Sequence, residues 1–142
     1  MNQPKADFWR PNSHGSSAPD LGGGRVMIVD DEAEVCVYVA LALKRLGFQS
    51  SATTDPNEAL ATILEDPDRF RLLLTDERMP GLSGLELMKR VWASHPEFPV
   101  VLMSGYGWGI DPSALQGVGF LSKPFEITDL EKALQHALED GA

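Results

Sequence analysis

Hydrophobic and polar positions fall into two regimes along the chain. Residues 1–24 have no apolar period and end in the Gly- and Ser-rich SHGSSAPDLGGG, which reads as a flexible tail or linker. Phe8 and Trp9 are its exceptions, either part of that tail or a short docking element. From Arg25 the pattern alternates. RVMIV (25–29), FRLLLT (70–75), FPVVLM (98–103) and GVGFL (117–121) are short apolar runs that predict strands, and FQSSAT (48–53) predicts a weaker strand with a polar face.

Helical spacing fills the intervals. Asn57–Glu65 carries Ala59, Leu60 and Ile63 or Leu64 on one side, and Gly84–Ser94 carries Leu85, Met88 and Val91 or Trp92. EITDLEKALQHALED closes the pattern as an amphipathic helix with Ile127, Leu130, Leu134 and Leu138 on one face. EVCVYVALALKRLG (34–47) is ambiguous. Val35, Val37 and Val39 alternate like a strand, but length, the Ala40–Leu43–Leu46 spacing and Gly47 as a stop predict a helix. A parallel crossover also needs one there. A helix this apolar is either packed on several sides or keeps an exposed patch for a partner. GYGWGIDPSALQ holds Gly105, Gly107, Gly109 and Pro112, so only one or two turns are expected, around 112–116. The order predicts an α/β fold: a doubly wound, five-stranded parallel sheet, (βα)5, with a shortened fourth helix, over residues 25–140.

Composition narrows the class. The chain has 142 residues, 43% hydrophobic and 23% charged, as expected for one globular domain. No apolar run approaches the roughly 18 residues of a membrane span, and no signal-peptide core opens the chain, so no membrane is expected and the cytoplasm is the default location. The single cysteine, Cys36, excludes an internal disulfide and reads as a small core residue. The net charge is −9, and the tail's Lys5, Asp7, Arg10 and Asp20 cancel, so the deficit lies in the folded part. No basic patch is visible, which argues against nucleic-acid binding by this chain. The excess acid suits either a cation site or a solvated surface.

In an open parallel sheet, ligands sit beyond the carboxyl ends of the strands. The first strand delivers Asp30, Asp31 and Glu32 there; the third, Asp76; the fourth, Ser104 and Gly105; the fifth, Ser122 and Lys123, then Pro124. The second delivers nothing ionisable before Asp55. Each residue has a plain explanation on its own: a helix cap, a turn, a surface lysine before a bend. Those explanations do not predict three carboxylates, a hydroxyl and an amine on one sheet edge. Clustered carboxylates repel until one protonates or a cation enters. An oxygen-only set favours Mg²⁺. A carboxylate can also act as a nucleophile toward phosphorus, and a lysine and a hydroxyl donor suit the charge a phosphoryl group brings.

VMIVDDE, LLLTDERMPGLSG, VVLMSGYG and FLSKPF together resemble the receiver domain of two-component response regulators, in the family's order, over about residues 25–139. The resemblance implies a flavodoxin-like fold and a switch that is not an enzyme in the usual sense, catalysing only its own Mg²⁺-dependent phosphorylation and dephosphorylation. It implies that Asp76 is the phosphoacceptor, supplied by a sensor histidine kinase or a histidine phosphotransfer domain. Asp30 and Asp31 match the acidic pair that holds Mg²⁺ with Asp76, and Arg78 sits where a backbone carbonyl completes the metal set. Ser104 matches the hydroxyl that turns toward the phosphoryl group, Lys123 the lysine that pairs with it, and Phe120 the aromatic switch. The Lys123–Pro124 bond is expected to be cis. An unidentified downstream protein reads the switched surface.

Three departures stand out. Ser104 replaces a common threonine and keeps the hydroxyl. Phe120 lacks the hydroxyl of the frequent tyrosine. GYGWGID replaces part of a face through which many receivers signal, so that dimer mode is not carried over; Tyr106 and Trp108 are either packed loop aromatics or a surface a partner reads. Arg78 and Tyr106 also occupy the variable positions flanking the site, and their bulk predicts a phosphoryl lifetime longer than in a small-residue variant. His14, His95 and His136 lie in no phosphodonor signature. The chain ends just after the last helix, which suits a stand-alone regulator, a relay intermediate or, most closely, a hybrid-kinase receiver. A haloacid-dehalogenase-type hydrolase requires a second aspartate where Arg78 stands. GGG at 22–24 precedes a strand rather than following one, against a dinucleotide site. The intact acidic set argues against an unphosphorylated interaction module.

Overall fold

A computed structural model of the chain describes residues 21–105 and 115–140. Its elements are β1 (Gly24–Val29), α1 (Ala33–Arg45), β2 (Phe48–Thr53), α2 (Pro56–Glu65), β3 (Leu72–Asp76), α3 (Gly84–Ser94), β4 (Val100–Ser104), β5 (Gly119–Ser122) and α4 (Ile127–Asp140). The five strands form one parallel sheet in the order β2-β1-β3-β4-β5. This is the expected flavodoxin-like order, with its reversal between β1 and β3. The short helix expected around 112–116 falls largely outside the described residues, as do Phe8, Trp9, His14, Tyr106 and Trp108.

Alternation along the strands explains the layers. Val26 and Ile28 of β1, Leu72 and Leu74 of β3, Val101 and Met103 of β4, and Leu121 of β5 face α1 and α4. Met27, Val29, Leu73, Val100 and Leu102 face α2 and α3. Both faces of β1, β3 and β4 are covered, which is why these strands read as unbroken apolar runs. β2 is an edge strand and keeps its polar face.

In α1 the helical reading prevails over the strand-like alternation. Cys36, Val39, Ala42 and Leu43 pack inward, while Val37 and Leu41 are 61% and 59% exposed. The helix thus has a packed face and an exposed apolar one beside it. Asp55 caps α2 by accepting from the Asn57 amide. Ser83 and Glu86 form a reciprocal capping box that starts α3. Leu21 packs on the α1–α4 layer, and the Arg71 guanidinium donates to the carbonyls of Leu21 and Gly23 just before β1.

Candidate functional site

Register brings the candidate site groups together. Val29 pairs with Thr75, so Asp30 and Asp76 leave adjacent strands at the same level. Ser104 pairs with Ser122, and the Lys123 amide donates to the Ser104 carbonyl at 2.8 Å, which carries the lysine one step beyond the ladder. The Lys123–Pro124 peptide is cis, as the family resemblance implies.

Carboxylate oxygens of Asp30, Asp31 and Asp76 lie within 4.8 Å of one another. Asp30 is fully buried, Asp76 and Ser104 are buried, and Asp31 faces solvent. Asp30 uses both oxygens: Oδ1 accepts from the Glu32 amide at 2.9 Å and Oδ2 from Lys123 Nζ at 2.7 Å. Lys123 Nζ also lies 3.1 Å from Asp76 Oδ1. One ammonium therefore serves two carboxylates, with a third nearby. A buried carboxylate pair around one cation keeps surplus negative charge.

The titration behaviour follows. Burial pushes the Asp76 carboxyl above its ordinary value, and the Asp30 charge adds to this while Lys123 opposes it. Burial acts to lower the Lys123 ammonium, but its hydrogen bonds to Asp30 and Asp76 prevail and raise it. Burial also raises Cys36, whose thiol lies 3.6 Å from the Asp30 carbonyl. That places Cys36 as the small core residue expected.

The site opens into a cleft of about 700 Å³ bordered by Asp31, Glu34, Tyr38, Asp76, Arg78 and Lys123. Arg78 is exposed at its rim. Phe120 is half-buried against the α2–α3 layer, opposite Leu102 in the sheet. His95 ends α3 and His136 is exposed on α4, both away from the cleft.

The three carboxylates fit a hard divalent cation, since they are close, oxygen-only and short of positive charge. The sequence reading missed the residues that hold Asp76 in place. Glu77 accepts from the Leu85 amide at 2.8 Å through its side chain and from the Gly84 amide at 3.0 Å through its carbonyl. A Cβ on Gly84 would stand 2.4 Å from the Asp76 carbonyl oxygen, so the first turn of α3 rests directly on the strand end that carries Asp76. Ser83 and Glu86 signal that α3 starts here, but nothing local in the sequence reports that close approach.

The family model for the response regulator receiver domain matches residues 26–135. The chain belongs to this family. Among relatives of this receiver domain, a putative two-component response regulator, ARR21, of Arabidopsis thaliana is 34% identical over 81% of the chain and 19% of its own length. The transcriptional regulatory protein FixJ of Bradyrhizobium diazoefficiens is 32% identical over 83% of the chain and 58% of its own length. The receiver domain of the hybrid histidine kinase CckA superposes with a TM-score of 0.67 at 32% identity, covering 82% of this chain and all of that one. The receiver domain thus spans less than two thirds of the length of these two curated relatives. Among the described residues, no helix is long and apolar enough to cross a membrane.

Proposed function

We propose that this receiver domain is a phosphorylation switch in which the Asp76 carboxylate takes a phosphoryl group from a phosphohistidine. The donor is a sensor histidine kinase or a histidine phosphotransfer domain. The observation that carries this reading is the convergence of Asp30, Asp31, Asp76 and Lys123 at one sheet edge. A packing role alone gives no reason to gather three carboxylates, two of them on one ammonium, at an open cleft.

The chemistry follows from the groups present. An Asp76 oxygen attacks phosphorus, the P–N bond of the donor breaks, and the imidazole leaves with its electron pair. Asp30 and Asp31, with Asp76 and the Arg78 carbonyl, are the residues that would hold Mg²⁺. Bound there, the ion supplies charge neutralisation for the approaching phosphoryl oxygens. Lys123 supplies a second positive charge, already directed at Asp76. Ser104 offers a hydroxyl on the neighbouring strand, and its movement toward the new phosphoryl group lets the Phe120 ring turn inward. That changes the surface a downstream protein reads.

The donor approaches through the cleft, across the exposed Val37, Tyr38 and Leu41 of α1. An apolar helix face beside a charged site suits docking of a partner helix. The domain catalyses only its own phosphorylation and dephosphorylation, needs no nucleic-acid partner, and works in the cytoplasm. Incubation with Mg²⁺ and acetyl phosphate, followed by intact mass, tests the reading. A labile gain of one phosphoryl group that disappears without Mg²⁺ supports it. Turnover of the donor without any phosphorylated protein, in repeated early time points, overturns it.

A further inference from the structure

Tyr38 stands on α1 with 48% of its surface exposed, yet it is tied to the far end of the chain. Its hydroxyl donates to the Phe125 carbonyl at 2.9 Å. Its ring lies 5.5 Å from the Phe125 ring, tilted by 55°. Phe125 is buried in the α1–α4 layer, and only Pro124 separates it from Lys123.

The segment carrying Lys123 is therefore held at two points. Its start is tied to β4 by the Lys123 amide and the Ser104 carbonyl, and its end is tied to α1 by Tyr38. Between them the lysine side chain reaches Asp30 at 2.7 Å and Asp76 at 3.1 Å. A long, flexible side chain points reliably only when its backbone is fixed, and a loop shift of about 1 Å would take both contacts out of hydrogen-bond range.

We infer that Tyr38 is a positioning residue for phosphoryl transfer: through the Phe125 carbonyl, its hydroxyl holds the loop that aims Lys123 at Asp76. This rests on the reading of Asp76 as phosphoacceptor. The same ring borders the cleft and lies on the helix face that exposes Val37 and Leu41. A partner packing on that face touches the residue that sets the lysine, so docking and Lys123 placement are coupled.

Tyr38→Phe tests this because it keeps the ring and removes only the hydroxyl. With acetyl phosphate and Mg²⁺ both saturating, it should slow the maximal phosphorylation rate about fivefold, the scale of one neutral hydrogen bond. Mg²⁺ affinity should stay unchanged. In a Lys123→Ala background, the added effect of Tyr38→Phe should vanish. A second readout needs no phosphorylation: the Lys123 side-chain NMR resonances should shift in Tyr38→Phe while those of exposed Lys44 and Lys89 do not. Unshifted Lys123 resonances overturn the inference. So does an unchanged rate in a protein that accepts the phosphoryl group, or an equal rate loss without Lys123. If the wild-type protein accepts no phosphoryl group, the functional reading fails, and the Lys123 resonances still decide the positioning claim.

Discussion

Lys123 sits closer to Asp30, at 2.7 Å, than to Asp76, at 3.1 Å. The fully buried carboxylate takes the shorter contact, as its desolvation requires. The proposed acceptor keeps the longer one. Asp30 therefore anchors the lysine, and Asp76 shares it.

Removing that lysine should strand a buried charge. Lys123→Ala is expected to destabilise the protein by about 3–5 kcal/mol in chelator, the range for a buried ion pair that loses one partner. Mg²⁺ should restore part of the loss by supplying positive charge to the same carboxylates. Urea unfolding with and without Mg²⁺ measures both effects. Equal stability of the variant and wild type in chelator would contradict the anchoring role.

Asp76 should cost the metal-free fold stability at neutral pH. Its folded-state value is raised above 3.8, first by burial and then by Asp30. A raised carboxyl favours the folded state while protonated. That contribution is complete below the unfolded value and is lost as pH rises through the folded one. Asp76→Asn removes the charge and leaves Lys123 its contact with Asp30. In chelator, the variant should melt above wild type at pH 7, and the gap should close as pH falls toward 4. Melting curves across that range check the sign.

The carboxyl edge of β3 leaves no room for a side chain at Gly84. Gly84→Ala places a Cβ 2.4 Å from the Asp76 carbonyl oxygen and 3.0 Å from the Glu77 Cα, both backbone atoms. The expected loss is about 2–3 kcal/mol, the upper part of the overpacking range. Gly81→Ala is the control: its Cβ meets nothing within 4 Å and pays only for a φ of 88°, about 1–2 kcal/mol for an L-residue. Gly84→Ala should also weaken Mg²⁺ binding, and Gly81→Ala should not. Calorimetric titration with Mg²⁺ separates the two.

The legible parts of this chain are those fixed by short-range pattern. The apolar runs of β1, β3 and β4 follow from burial on both faces, and the candidate site was legible because parallel strands deliver their next residues to one edge. What escaped depends on distant neighbours. Val37 and Val39 are alike in sequence, but one is exposed and the other fully buried, because helical rotation and the position of α4 decide. Tyr38 meets Phe125 across 87 positions, and no local signal predicts that. Gly84 reads as a weak helix residue until the Asp76 backbone is placed beside it.

The lifetime of the phosphoryl group should depend on Arg78 and Tyr106. Arg78 lies exposed at the cleft rim, and its bulk there is expected to hinder in-line water. Replacing both residues with Ala should hasten loss of the phosphoryl group about tenfold, the scale of one lost barrier contribution of about 1.4 kcal/mol. Decay of the phosphorylated species after donor removal gives the rate. An unchanged half-life would remove steric shielding from the account.

The central claim concerns one carboxylate, so the most direct measurement identifies which residue carries the group. After incubation with Mg²⁺ and acetyl phosphate, borohydride reduction converts an acyl phosphate to an alcohol, and peptide mass spectrometry locates it. The account predicts homoserine at position 76 and unmodified Asp30 and Asp31. Homoserine at either of those positions, or a phosphoryl group on a histidine or serine with Asp76 intact, would contradict it.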